Sequence, residues 1–571
     1  MSKQKKVILV AAIVAAVLIM AMGSYAVYRY FAPSSDKKDL NSIFELQQDE
    51  VALIVNDVVL EERGLLLDGK AYIPEEIAAG YMDERIFVDT TENIFSYATN
   101  DGLIQAEADS LTYTVGKESK DAETPLLRTH GDNCYVALSF LEEHSSCTIE
   151  KYEEPARLMI MTDRTKSYTF GNVSEDTRVR TGPGKKYSYL TEIPQGTRVI
   201  VETTVPQENE YMSVTTLDGV NGYIPVERIA QTTEENWKFE KEPESFEQNA
   251  MKGTVCLAWH QTTNEESSKN LPDSVSNAAS LNVISPTWYI LDDNKGGFFS
   301  LANADYVQKA HKEGLKVWGL VKDFDDTSAG RTAKLNREKI FGTTSSRTKL
   351  VNSLVGSAIR YDLDGINVDF EKIDAKSAAA YLEFLRELTI KCHANDLVVS
   401  VDNYTPANYN SFYNIEEQGR IVDYVVLMAY DEHYAGDDEA GSVSSLGFVT
   451  NGVTNTLAVV PKERVVVGLP FFTRLWKEVK GKKPTSTAYG MSAAESVLRA
   501  NDTASKWDEE TGQYYAKYKA DGATYEIWLE EETSLGKKLE VLKENDVAGV
   551  AFWKIGLERA VTWKSIADAL K

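Results

Sequence analysis

The chain is poor in cysteine, in histidine and in positive charge. Four cysteines among 571 residues are too few for a disulfide scaffold. Cys134 and Cys147 are near enough in sequence to bridge in an oxidising compartment, while Cys256 and Cys392 fall in apolar strand-like and helix-like stretches, as small hydrophobes do. None of the four has a nucleophile's surroundings. Basic residues number 61 against 87 acidic, a formal net charge of -26. That balance excludes a broad basic face for nucleic acid or an anionic membrane. The 6 histidines show no metal-ligand spacing, so no metal and no cofactor is expected; His260 and His433 stand alone and are assigned no role. The apolar content is ordinary, 43% hydrophobic against 26% charged, which is a folding rather than a disordered composition. A chain of this length is expected to form several folded units.

Lys3, Lys5 and Lys6 precede an uncharged run from Val7 to Tyr28, which Arg29 closes. As a helix the run spans about 33 Å, enough to cross a bilayer core. The expected layout is a cytoplasmic tail at 1–6, a transmembrane signal-anchor helix at 7–28 and a linker at 29–48, with Tyr25, Tyr28 and Tyr30 at the outer interface. A cleaved signal peptide, cut near the small residues Ala21 to Ser24, is the alternative. Both place the bulk of the chain outside the membrane, as a single-pass extracellular or a secreted protein.

Residues 49–165 alternate short strands and turns and contain an internal echo. Asp68-Gly-Lys-Ala-Tyr-Ile-Pro-Glu-Glu-Ile-Ala aligns with Gly131-Asp-Asn-Cys-Tyr-Val-Ala-Leu-Ser-Phe-Leu, Tyr72 over Tyr135. With Val51-Ala-Leu-Ile-Val-Asn-Asp-Val-Val-Leu ahead of it, this stretch resembles the stalk-type N-terminal domain of copper amine oxidases. The resemblance implies a spacer or docking module and suggests no copper ligands. In residues 166–230, Thr177-Arg-Val-Arg-Thr-Gly-Pro-Gly is followed by Tyr187, Ile193-Pro-Gln-Gly-Thr-Arg-Val and Gly222-Tyr-Ile-Pro. That order resembles the bacterial Src-homology-3-like β-barrel, which implies either a grip on cell-wall stem peptide or a plain spacer; Tyr211 stands where that family often has Trp. Residues 231–250 read as an acidic linker.

Residues 251–571 alternate apolar strand-like runs with helical patterns, the signature of repeated βα units. Eight runs begin at Thr254, Val283, Lys316, Gly365, Leu397, Tyr424, Val465 and Ala548, which predicts a (β/α)8 TIM barrel with functional residues at the C-terminal strand ends. The segment from about 476 to 528 is too long for a plain loop and is expected to be an inserted α+β subdomain. The fold class is therefore multidomain: a transmembrane helix, small mostly-β domains and a C-terminal barrel.

On the fourth run, Asp364-Gly-Ile-Asn-Val-Asp-Phe-Glu alternates with period two. Ile366, Val368 and Phe370 share one face, and Asn367, Asp369 and Glu371 the other. Polar groups inside a domain cost free energy unless paired or used. Two carboxyls one pleat apart resist ionising together, so the pKa of one is expected to rise, which suits a general acid at neutral pH. The competing reading is a buried hydrogen-bond network without chemistry.

This octet, with Met428-Ala-Tyr-Asp on strand six and Trp553 closing strand eight, resembles glycoside hydrolase family 18. Val283-Ile-Ser-Pro-Thr-Trp-Tyr and Tyr430-Asp-Glu-His-Tyr are similar to its spore-germination and cell-wall branch of N-acetylglucosaminidases. The resemblance implies that Glu371 is the general acid and that the sugar's own 2-acetamido group is the nucleophile. It implies that Asp369 orients that group and raises the pKa of Glu371, and that Tyr430 donates to the acetamide oxygen. Trp553 becomes the floor under the sugar, and Asn367, Asp402 and Asp431 join the substrate-binding set. Against these roles stand a carbohydrate-binding relic for the acid pair, barrel-top packing for Tyr430 and Asp431, and plain core for Trp553. Asn367 departs from the family's usual Asp; it is expected to hydrogen-bond Asp369 without sharing its proton. The implied partner is peptidoglycan or a chitin-like N-acetylated glycan.

Overall fold

The computed structural model describes residues 2–324, 330 and 332–570; Met1 and Lys571, the outer limits of the expected tail and barrel, lie outside them. The chain divides into two units, one of Met1–Ile86, Ala108–Thr112 and Asp121–Pro243, the other of Phe87–Glu107, Tyr113–Lys120 and Glu244–Lys571.

The first unit opens with a helix, Lys3–Phe31, none of whose residues is buried. It is long and apolar enough to cross a membrane by length and composition. A seven-stranded sheet follows, in the order Thr148–Glu153, Ala156–Met161, Glu50–Val55, Val58–Leu67, Lys70–Pro74, Asn133–Ala137, Leu127–His130. The two echoing stretches lie side by side in it, Tyr72 opposite Ala137 and Tyr135 opposite Pro74, and each runs into a short helix. A second seven-stranded sheet spans Ser167 to Asn236. Ala52, Ile54, Met159 and Met161 of the first sheet share one core with Phe170, Val199, Val214 and Ile224 of the second. Cys134 and Cys147 are free thiols; the Cys147 Sγ–H donates to the Met82 carbonyl at 3.1 Å.

In the second unit the eight expected strands all form. They are β1 (Val255–His260), β2 (Val283–Pro286), β3 (Lys316–Lys322), β4 (Gly365–Asp369), β5 (Val398–Tyr404), β6 (Tyr424–Met428), β7 (Val465–Pro470) and β8 (Gly549–Trp553). Each pairs in parallel with its neighbours and β8 returns to β1, closing the barrel. The period-two pattern sorts the side chains. Leu257, Trp259, Trp318, Tyr424 and Val426 fill the interior, where Trp318 stacks on Tyr424 with ring centroids 5.6 Å apart. Ile366, Val368 and Phe370 pack outward with Leu354, Leu385 and Leu388 of the helical layer. A Cβ on Gly365 would lie 2.7 Å from both Trp318 and the Val398 carbonyl, so the interior indole needs glycine at the foot of β4.

Two boundaries differ from expectation. The inserted five-stranded sheet already pairs at Phe472 and runs to Leu529. Residues 87–107 and 113–120 group with the barrel rather than with their sequence neighbours. The reason is local: helix α1 (Thr344–Tyr361) has no side-chain N-cap of its own. Asp89 accepts the Thr344 amide at 2.6 Å, and Glu92 accepts the Ser345 amide at 2.8 Å. Two carboxylates thus satisfy orphan donors at the positive end of α1. Arg347, one turn on, lies over the Phe87 ring at 4.7 Å.

Candidate active site

A cavity of about 220 Å³ opens at the C-terminal mouth of the barrel. Its walls are residues just at or past the strand ends: Asp369 and Glu371 after β4, Asp402 and Tyr404 on β5, Tyr430 and Asp431 after β6, and Trp553 closing β8. Six of the seven residues singled out in the sequence therefore line one cavity. The seventh, Asn367, is wholly buried one pleat below.

Asn367 corrects one expectation: its amide does not reach Asp369. Nδ2 donates to Asp402 Oδ1 at 2.7 Å and to Ser400 Oγ at 3.0 Å. Oδ1 accepts from Trp259 Nε1 at 2.9 Å and Ser285 Oγ at 3.0 Å. All four of its hydrogen-bonding positions are occupied. Register explains the choice. Asn367 stands opposite Ser400 on β5, so the next inward residue across the ladder is Asp402, whereas Asp369 lies a pleat farther along its own strand.

Asp369 is 6% exposed, and among the described residues its Oδ1 has no hydrogen-bond donor. Burial, then the neighbouring carboxyls Glu371, Asp402 and Asp323, push its pKa well above the usual carboxylate range, while Lys322 opposes the rise. Asp402 is pushed up to about 8, by burial first and Glu371 after it, against the bond from Asn367. The crowding expected of adjacent carboxyls thus falls on Asp369 and Asp402.

Glu371 is held from three sides. Its backbone amide donates to Asp323 Oδ1 at 2.9 Å, and the Lys372 amide donates to the same carboxylate at 3.2 Å. Asp323 is wholly buried and paired with Arg337 Nε at 3.0 Å. Tyr404 donates its hydroxyl to Glu371 Oε2. Tyr413 donates to the Phe370 carbonyl at 3.0 Å, fixing the residue between the two acids.

Tyr430 stands edge-on to Trp259 at 6.4 Å and to Phe472 at 6.3 Å. Trp553 tilts against the same Trp259 at 5.9 Å and is half-buried, with the cavity on its free side; it is therefore not plain core. The Trp553–Lys554 peptide is cis. Asp431 takes a left-handed φ of 58°, and its carboxyl is raised by burial and by Glu371 while Arg474 opposes. His260 is half-buried, its Nδ1 2.9 Å from the Tyr306 hydroxyl, and desolvation holds its pKa down at about 4. Among the described residues no group of His, Cys, Asp or Glu is arranged to hold a metal ion.

Sequence reasoning did not single out Lys322, Asp323 or Tyr404. Counting inward positions by two would have reached two of them, since Trp318, Leu320 and Lys322 share the inner face of β3, and Asp402 and Tyr404 that of β5.

Residues 329–558 match the family model described as Glycosyl hydrolases family 18. Among curated proteins the chain is 22% identical over 299 residues to an uncharacterized glycosylase of Bacillus subtilis (strain 168), covering 51% of this chain and 85% of that protein. It is 27% identical over 233 residues to the cortical fragment-lytic enzyme of the same organism, covering 39% of this chain and 53% of that one. The chain thus spans about half the length of this second relative. Among solved structures, the chitinase of Chromobacterium violaceum ATCC 12472 superposes with a TM-score of 0.50 at 19% identity, over 56% of this chain and 99% of that one; that likeness shows the fold. The match of residues 329–558 to the family 18 model, together with the glycosylase and cortical fragment-lytic relatives, supports a glycosidase.

Proposed function

We propose that the protein is a membrane-anchored, extracellular glycosidase that cuts β-1,4 bonds next to N-acetylhexosamine in peptidoglycan, with retention, by substrate-assisted catalysis. Glu371 protonates the glycosidic oxygen. The substrate's 2-acetamido carbonyl attacks the anomeric carbon and forms an oxazolinium ion, so no enzyme carboxylate serves as nucleophile. Glu371 then takes a proton from the water that opens the ring, restoring the acid. Asp369 holds the acetamide N–H and stabilises the developing positive charge, Tyr430 donates to the acetamide oxygen, and Trp553 forms the floor. Asp431 accepts from a sugar hydroxyl. Asn367 and Asp402, already bonded to each other, shape the base of the sugar pocket.

The observation that carries this reading is the Asp369 carboxyl, buried beside Glu371 with an oxygen that no described protein group satisfies. An unmet buried acceptor costs about 1–3 kcal/mol, and an acetamide N–H bound there would supply the missing donor. Peptidoglycan is favoured over chitin by the cortical fragment-lytic relative and by the segments ahead of the barrel. Of these, Lys3–Phe31 is the anchor, 49–165 a stalk and 166–230 a Src-homology-3-like module for stem peptide. The chitinase likeness keeps chitin as the second reading.

The test is to incubate the full chain in detergent, and its Glu371→Gln variant, with purified peptidoglycan and with chitin tetramer, reading products by mass spectrometry. New reducing-end N-acetyl sugars from wild type alone are expected, with peptidoglycan preferred. Polymer binding without products from either protein would leave a wall-binding lectin instead.

A further inference from the structure

Among the described residues, one cation stands in the cavity wall. Lys322 ends β3 with 4% exposure and is the only lysine or arginine among the described residues lining the cavity, against four carboxyls there. It stands in direct register with Asp369 across the β3–β4 ladder, so the two side chains leave adjacent strands toward the same side. Its Nζ lies 5.2 Å from the centre of the Phe324 ring. An ammonium at this depth is costly unless an opposite charge faces it.

The groups facing Asp369 are Glu371 on its own strand, Asp402 from β5, Asp323 and Lys322 from β3, Tyr404 from β5 and Tyr430 from β6. Asp323 is already tied to Arg337 and to the Glu371 and Lys372 amides. Asn367, the residue below on the same strand, has both amide hydrogens committed to Ser400 and Asp402. Asp369 is thus crowded by acids and receives nothing from Asn367.

We propose that Lys322 is a positioning residue whose ammonium offsets the cost of ionising Asp369 and turns that carboxylate toward the acetamide of the bound sugar. The role rests on the glycosidase mechanism proposed above. It assigns to β3 a task that a proton-sharing residue at position 367 would perform and Asn367 is not placed to perform.

The test compares pH profiles of kcat/KM for the full chain and for Lys322→Met, Lys322→Gln and Lys322→Arg, on whichever of peptidoglycan and chitin tetramer the wild type cleaves. Removing the cation makes Asp369 harder to ionise, so the acidic limb moves to higher pH. A displacement of about one unit is expected in the Met and Gln variants, and about a tenfold loss on the acidic side. Arg restores the wild-type limb. Should Met unfold the barrel, Gln, which keeps a polar group there, carries the comparison. A uniform loss with an unmoved limb would overturn the proposal and leave Lys322 a packing residue. Infrared titration of the protonated carboxyl stretch, referenced to Asp369→Asn, needs no turnover and separates this failure from failure of the glycosidase reading. A higher Asp369 midpoint in Lys322→Gln supports the counter-charge, and an unchanged midpoint refutes it.

Discussion

Asp323 does not itself line the cavity, yet replacing it should disable the acid at the end of the neighbouring strand. The perturbation is best made in two steps. Asp323→Asn keeps an oxygen to accept the Glu371 and Lys372 amides, now at 2.9 and 3.2 Å, and removes only the charge that faces Arg337. Asp323→Ala removes both functions inside a fully buried site. Breaking one side of a buried ion pair costs about 3–5 kcal/mol. The value here should sit at the lower end, because Arg337 is 20% exposed and keeps a bond to the Leu335 carbonyl at 3.1 Å. Each amide left without an acceptor adds about 1–3 kcal/mol of local cost. Exchange of the Glu371 and Lys372 amide hydrogens, followed by mass spectrometry of the peptide spanning them, should accelerate roughly tenfold or more in Asp323→Ala and much less in Asp323→Asn. Activity should follow exchange. A displacement of about 1 Å in a catalytic group costs on the order of a hundredfold, so kcat falls in Asp323→Ala while KM changes little. Unaltered exchange in that variant, or a loss of activity carried wholly by KM, would refute the argument that Asp323 holds the Glu371 backbone.

Two further outcomes follow from other parts of the unit. Asp402 has a folded pKa of about 8 against an ordinary value of about 3.9, so its contribution to stability is present below pH 4 and is lost as pH rises toward 8. Asp402→Asn should therefore gain on wild type in thermal unfolding temperature between about pH 4 and pH 8, with the gap constant above that; a gap that does not change with pH would count against it. Asp89→Ala uncaps α1 and frees the Thr91 and Glu92 amides that the same carboxylate accepts, so about 1–2 kcal/mol should be lost. Limited proteolysis should then cut first within residues 87–107, and cutting at the wild-type rate would contradict the capping argument.

What could be read from the sequence follows physical range. Alternation along β4 separates Ile366, Val368 and Phe370 from Asn367 and Asp369 because pleating is a property of the strand itself. The same local rule marks all eight strands, and it brings six chosen residues to one rim because parallel strands in a barrel end together. Cross-strand register is different. Whether Asn367 meets Asp369 or Asp402 depends on how β4 slides against β5, and no residue of either strand states that alone. The capping of α1 lies farther out of reach, since Thr343 offers a usable hydroxyl in the sequence and nothing local says that Asp89 and Glu92 replace it. Lys322 was hidden for another reason: a lysine closing an apolar run reads as the point where a strand meets water.

The bond between Asp89 and Thr344 joins residues 255 positions apart. At synthesis rates of about 5–20 residues per second, the earlier partner waits on the order of 10–50 s for the later one to emerge. Through that interval the chain holds residues 87–107, with their pairing edges and apolar faces, ahead of the helix they cap. A barrel fragment begun at residue 251 would meet the reverse situation and carry α1 with its first amides bare. Order of emergence, and not only final contacts, therefore decides which pieces of this protein can be made alone, and residues 87–120 would have to accompany any barrel intended to fold by itself.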